Sequence, residues 1–219
     1  MQRRFDEELA ELKETLLQMG ALVESQIASS IKALVERDSD LARRTIENDH
    51  RVNAMDVRID EDSVRLIALH QPKATDLRFI TTAMKISSDL ERMSDLAENI
   101  AERAIELNEE PQLKPYIDIP RVAEHAQRMV KGALDAFVNR NVEMAWKVIR
   151  DDDFIDDLTH QIFRELILFM MEDPHTITRA IRITFISKYL ERIADHATNI
   201  AELVVYLVEG KIIRHTTSD

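Results

Sequence analysis

Two nearly identical segments lie 100 residues apart in this chain. LERMSDLAENIAE, at 90–102, and LERIADHATNIAE, at 190–202, agree at nine of thirteen positions. The shared residues include Glu, Asp and Asn. Core packing alone does not explain why these polar residues are repeated. A core accepts many apolar substitutes and places no constraint on positions that face solvent. The repeat indicates an internal duplication, so both halves must fold in the same way.

Residues that interrupt helices are scarce. Three glycines and five prolines occur among 219 residues, in a chain of which 32% is charged. Such a composition favours long helices. The apolar residues recur with a helical period and predict six helices, three in each half, at roughly 3–37, 40–70, 72–107, 120–138, 142–172 and 174–209.

One segment is different from the rest and predicts a linker. NEEPQLKPYIDIP, at 108–120, contains three of the five prolines. We therefore predict an all-α, elongated protein of two tandem, pseudo-symmetric three-helix bundles, because a helix of 30 residues is about 45 Å long. The predicted domains are a first bundle over 1–109, a Pro-rich linker over 110–119 and a second bundle over 120–219.

Composition and charge exclude several classes of function. The net charge of −12 argues against a nucleic-acid partner and against docking on an anionic membrane, since both need clustered Lys and Arg. There is no cysteine for thiol chemistry, and no glycine-rich phosphate loop or nucleophile elbow. No apolar run is long enough to span a bilayer, and the first residues lack an apolar signal segment. We expect a cytoplasmic protein that is not an enzyme.

The repeated acids form a stripe on one helix face. Glu91, Asp95, Glu98 and Glu102 lie within about 60° of one another on a helical wheel, as do Glu191, Asp195, Thr198 and Glu202. Like charges at this spacing repel each other. A stripe of acids retained in both copies therefore needs a compensating cation.

Further acids are predicted to face both stripes across the preceding turn. Asp49 lies 22 residues before the turn at Gln71, and Asp152 lies 21 residues before the turn at Asp173. Antiparallel helices bring each of them level with the repeated acids. The candidate metal ligands are Asp49, Asn53, Glu91 and Asp95 in the first half, and Asp152, Asp156, Glu191 and Asp195 in the second.

Clustered oxygen ligands suit Mg²⁺, Mn²⁺, Ca²⁺ and iron. We expect the first site to be the less anionic one, because it carries Asn53 where the second carries Asp156. The alternative is a salt-bridge ladder in which the acids are neutralised by Arg51, Arg92, Lys188 and Arg192.

The two repeated segments, together with QPKATDLR at 71–78, resemble the PhoU family of bacterial phosphate regulators over the whole chain. The resemblance implies a negative regulator of the phosphate-starvation response and a modulator of phosphate transport. It implies a scaffold between two partners, the ATPase subunit of the phosphate ABC transporter and the phosphate-sensing histidine kinase. It also implies a homodimer.

The resemblance further implies multinuclear iron or zinc clusters on Glu91, Asp95, Glu191 and Asp195, with Asn99 and Asn199 as the shared polar residues one turn later. Two other interpretations remain open. One is a metal store or sensor whose carboxylate-bound metal is the function itself. The other is a plain helical adaptor in which the acids make only salt bridges.

Overall fold

The structure, a computed structural model, describes residues 2–213, with side chains from residue 4 onward. Within that range the chain forms helices and no strand, which confirms the all-α prediction. The helices are α1 Gln2–Val35, α2 Ser39–Glu47, α3 Asp49–His70, α4 Ala74–Asn108, α5 Asp118–Asn139, α6 Val142–Glu172 and α7 Ile177–Glu209. Residues 1 and 214–219, the outermost residues of the two predicted domains, lie outside the described range.

The six predicted helices are present, and the second of them is interrupted at Asn48, which divides it into α2 and α3. Thr45 donates its hydroxyl to the carbonyl of Leu41, a side-chain bond that bends helices. The Asn48 N–H is shared between the carbonyl oxygens of Arg44 (3.2 Å) and Thr45 (3.3 Å), and the Asn48 carbonyl then accepts from the Arg51 N–H, three residues on, at 3.1 Å. As a result Asp49 opens a new helix.

Local sequence explains where most helices begin and end. Asp38 accepts a bond from the Leu41 N–H at the start of α2, and Asn141 does the same for Met144 at the start of α6. Gly210 ends α7 with a φ of +71°, the left-handed conformation that glycine adopts without strain. Pro174 begins a short 3₁₀ turn that precedes α7.

The duplication is visible in the pattern of burial. Along α4 and α7 the same positions are buried in both halves, including Ile86 and Ile186, Leu90 and Leu190, Ala97 and Ala197, and Ile100 and Ile200. Along α3 and α6 the matched buried pairs are Val52 with Ile155 and Ile59 with Ile162. An offset of 100 residues therefore relates α4 to α7, and an offset of 103 relates α3 to α6.

The two halves share one hydrophobic core, because α1 packs on α5 and α4 packs on α7. Phe79 of α4 stacks on Phe137 of α5 with ring centroids 5.2 Å apart. Gly20 allows α1 to approach α5 closely, since a Cβ at this position would lie 2.4 Å from Leu134 Cδ1. This packing holds the two halves against each other along their length.

The segment between α4 and α5 is held by side chains of both halves. Arg37 donates to the carbonyl oxygens of Asn108 (2.7 Å) and Glu110 (2.6 Å). From α7, Arg179 donates to the carbonyl of Pro111 at 2.9 Å. The predicted boundary at 110–119 is therefore a segment without helix up to Ile117, and the division into separate domains stays a prediction.

Within residues 2–213, no helix combines the length and apolarity needed to cross a membrane.

Candidate metal centre

The first half brings three carboxylates together in the groove between α3 and α4. One oxygen from each of Asp49, Asp95 and Glu98 lies within 4.8 Å of the others, and in the described part of the chain this is the one group of three acids or histidines that converges so closely. Such a spacing allows one cation to touch all three residues.

Asp49 is the anchor of this group. It is the first residue of α3, directly after the break at Asn48, and only 8% of it is exposed. Its Oδ1 accepts a bond from the Ser94 hydroxyl at 2.6 Å, and its Oδ2 accepts one from Asn53 Nδ2 at 2.7 Å. These bonds fix its orientation, and each oxygen keeps a lone pair for a further partner.

Glu91, the remaining acid predicted for the first half, lies beside this group. Burial raises the pKa of Glu91, and the charges of Asp95 and Asp56 raise it further. Loss of hydration together with the charge of Asp49 likewise raises the pKa of Asp95 and of Glu98. Burial and mutual repulsion disfavour the charged form of these carboxyl groups, and a bound cation would stabilise that form.

Two residues of the first site were missed by the sequence-based ligand set. Asp56 accepts a bond from Ser87 and acts electrostatically on Glu91. Glu98 lies on the predicted acid stripe but was not chosen as a ligand. A signal was present for both, since Asp56 follows Asp49 by seven residues and Glu98 follows Glu91 by seven, two helical turns in each case.

The second half gathers four carboxylates between α6 and α7. Burial raises the pKa of Asp152 to about 6, with further contributions from Asp195, Asp156, Asp153 and Glu191. Burial and the neighbouring Glu191 and Asp156 also raise the pKa of Asp195. The four predicted residues are therefore close enough to repel one another, as the turn register predicts.

Two side chains partly satisfy Glu191 in the second group. Thr159 donates to its Oε2 at 3.1 Å, and Lys188 forms an ion pair with the same oxygen at 2.6 Å. Of the four cations in the alternative salt-bridge ladder, Lys188 is the one that pairs with a candidate ligand among the described residues. In the first half, the charge of Arg92 opposes the rise in the pKa of Glu91 and Asp95, so one cation of the ladder offsets part of the repulsion there.

The expectation that the first site is the less anionic one stays a prediction, because each half has acids beyond the four predicted ligands. The positions that match Asp56 and Glu98 in the second half are Thr159 and Thr198, which carry no charge. The second half in turn has Asp153 and Asp156 where the first half has His50 and Asn53.

The two shared asparagines occupy different surroundings. Asn99 Nδ2 donates to the carbonyl oxygen of Asp95 at 2.7 Å, so its amide is bound to its own helix. Asn199 lines a cavity of about 250 Å³ between α4 and α7, together with Lys85, Glu202 and Tyr206. That either asparagine binds a metal stays a prediction.

Comparisons of the sequence and of the structure with known proteins identify the same family. The family model described as "PhoU domain" matches the chain twice, over residues 16–104 and 119–204. Curated proteins named phosphate-specific transport system accessory protein PhoU, or its homolog, are similar over nearly the whole chain. The Aquifex aeolicus homolog is 46% identical over 95% of this chain and 94% of its own length, and the Escherichia coli protein is 36% identical over 99% and 90%.

Solved structures extend the similarity to the fold. A crystal structure of PhoU from Pseudomonas aeruginosa has a TM-score of 0.91 at 43% identity, and covers 94% of this chain and 100% of that one. A structure from Streptococcus pneumoniae, described as the phosphate transport system regulatory protein PhoU, has a TM-score of 0.88 at 32% identity, covering 95% and 98%. The duplicated helical sequence, the matching burial of both halves and these similarities together show that the chain belongs to the PhoU family.

Proposed function

We propose that this protein is an accessory and regulatory protein of phosphate-specific transport. The observation that carries the proposal is the similarity over nearly the full chain to proteins named for that role, at 36–46% identity. Deletion of the gene should change phosphate uptake and the expression of phosphate-starvation genes in phosphate-rich medium, and the wild-type gene should restore both. Unchanged uptake and expression after deletion would refute the proposal.

The protein acts as a non-enzymatic scaffold that represses the starvation response by contacting proteins. Its partners are the ATPase subunit of the phosphate ABC transporter and the phosphate-sensing histidine kinase. The net charge of −12 supports contact with proteins rather than promoter DNA, because binding to phosphates needs several cations on one face. Purified protein should bind both partners in a pull-down and should not shift promoter DNA. A salt-sensitive shift of promoter DNA without a protein partner would contradict this mechanism.

The second candidate function is metal storage or sensing by the acid groups. It is favoured by the convergence of Asp49, Asp95 and Glu98, and by the raised pKa values around both groups. Iron, zinc, Mg²⁺, Mn²⁺ and Ca²⁺ all accept oxygen ligands. If chelation of metal leaves binding to the ATPase and the kinase intact, the scaffold is the function; if chelation abolishes binding, the metal is part of it.

We further propose a cytoplasmic location and a homodimer. Fractionation of cells followed by sedimentation of the purified chain tests both. Recovery with the membrane pellet after high salt, or a monomer at all concentrations, would contradict them.

A further inference from the structure

The duplication provides an internal comparison of the two surfaces. At an offset of 103 residues, Asp60 and Glu61 of α3 match Phe163 and Arg164 of α6. At an offset of 100 residues, α4 carries Thr81, Lys85 and Ser88 where α7 carries Ile181, Phe185 and Lys188. The second half thus has three apolar residues where the first half has Asp60, Thr81 and Lys85, and two cations where the first half has Glu61 and Ser88.

These five residues of the second half form what we call the α6–α7 face: Phe163, Arg164, Ile181, Phe185 and Lys188. Its apolar side chains are largely open to solvent, with 43% of Phe163, 44% of Ile181 and 48% of Phe185 exposed. Arg164 and Lys188 are also exposed.

The fold itself does not require this apolar surface. The first half builds the same α-hairpin with Asp60, Thr81 and Lys85 at the matched positions, and core positions such as Ile59 and Ile86 match Ile162 and Ile186. Lys85 lies over the Tyr206 ring at 5.9 Å, so that position is partly covered by the chain itself. Phe185 instead stacks on Tyr189 at 6.2 Å and remains half exposed.

The register between α6 and α7 brings the five residues to one level. The bond from Thr159 to Glu191 shows which residues lie opposite each other. Counting from it along both antiparallel helices puts Phe163 opposite residue 187, within one turn of Phe185 and Lys188. Ile181 lies about one turn nearer the hairpin turn, since a turn advances the helix about 5.4 Å. The five residues therefore lie within about two helical turns of one another along the hairpin.

We propose that the α6–α7 face is a docking surface for an amphipathic helix of a partner protein whose apolar stripe is flanked by acidic residues. This rests on the proposed function, because it supplies the surface by which the scaffold holds a partner. The apolar residues match the stripe of such a helix, and Arg164 matches its acidic flank, with Lys188, which also pairs with Glu191, beside it. These two cations lie where the first half has Glu61 and Ser88, in a chain of net charge −12.

The same charges disfavour two other occupants. In a symmetric contact between two copies, each face meets itself, so Arg164 and Lys188 of both copies would come together and repel. An anionic membrane would attract this face, yet the overall charge of −12 repels the rest of the molecule from it.

The test uses the full chain and variants that borrow residues from the first half. The triple variant Phe163→Asp, Ile181→Thr and Phe185→Lys keeps the net charge and introduces only residues that the duplicated hairpin already tolerates. The control, Val57→Thr with Val64→Thr, removes exposed apolar surface from α3, where Val57 is 57% and Val64 is 59% exposed. Thermal unfolding first establishes that both variants fold.

The probe is a synthetic helix of about 20 residues with a leucine stripe and glutamate flanks, long enough to be helical on binding, beside the same peptide with lysine flanks. We expect the wild type and the control to bind the glutamate peptide at least about tenfold more tightly than the triple variant does. The lysine peptide should bind more weakly, and added salt should reduce the difference between the peptides.

Equal binding of the glutamate peptide by wild type and triple variant, or no binding by either, overturns the proposal. So does preferential binding of the wild type to vesicles of anionic lipid, or a dimer that only the triple variant loses.

The pull-down against the transporter ATPase and the kinase separates this proposal from the proposed function. If the wild type and the triple variant retain both partners equally, the face is not the docking surface and the scaffold stands. If the wild type binds neither partner, the scaffold fails, and the peptide measurement still decides the face.

Discussion

Replacement of Asp152 by asparagine should stabilise the metal-free protein at neutral pH. Burial and four neighbouring carboxyl groups raise the pKa of Asp152 from 3.8 to about 6. The folded state therefore holds a proton that the unfolded state releases between about pH 4 and pH 6, and the stability from this group is present at low pH and is lost as the pH rises through 6. Asparagine keeps the shape and removes the charge.

The size of the effect follows from the shift. Two pKa units correspond to about 3 kcal/mol. Asp152 keeps part of its solvent exposure, so screening reduces this to about 1–2 kcal/mol. At pH 7.5, Asp152→Asn should raise the free energy of unfolding by that amount. At pH 4.5 the wild-type carboxyl is itself protonated in the folded state, and most of the difference should disappear.

Urea denaturation in the presence of a chelator measures the difference at both pH values, and the chelator removes stabilisation by bound metal. Asp157→Asn, at an exposed position of the same helix that is not among the groups acting on Asp152, is the matched control and should change stability by less than about 0.5 kcal/mol. If Asp152→Asn is no more stable than the wild type at pH 7.5, or if its advantage is the same at both pH values, the reasoning from repulsion is refuted.

Three further predictions concern the acids and the packing. Glu191→Gln together with Asp195→Asn should lower the metal content of purified protein; unchanged content with raised stability would show that these acids are not ligands. Gly20→Ala should lower the free energy of unfolding by about 0–2 kcal/mol, because the overlap of the added methyl group with Leu134 Cδ1 outweighs the gain of about 1 kcal/mol from alanine within a helix; a more stable variant in urea would show that Leu134 moves aside. Iron binding in the second half should quench Trp146 fluorescence, since Trp146 lies about 9 Å along α6 from the first acid of that group; undiminished fluorescence in protein loaded with iron would exclude a site there.

Much of the fold was determined by the sequence alone, because helices are encoded locally. The scarcity of glycine and proline, the apolar period and the repeat predicted an all-helical, duplicated chain, and the described residues confirm it. The level of Asp152 opposite Glu191 and Asp195 was also predictable, since a fixed rise per residue on either side of a turn sets which residues meet. The break at Asn48 was not, because it depends on the hydrogen bonding of one helical turn.

The composition of the acid groups was decided by the tertiary structure. Helical period indicates which residues share a face, but the rotation of one helix against another determines which side chains converge. Packing in the first half turns Glu98 toward Asp49 and sets Asp56 beside Glu91, so the first group includes two carboxylates that the predicted ligand set did not contain. Packing of α4 on α7 likewise leaves Phe185 half exposed while Lys85, its counterpart in the first half, lies over Tyr206. Such differences between duplicated halves depend on contacts between segments far apart in the chain, which no local pattern records.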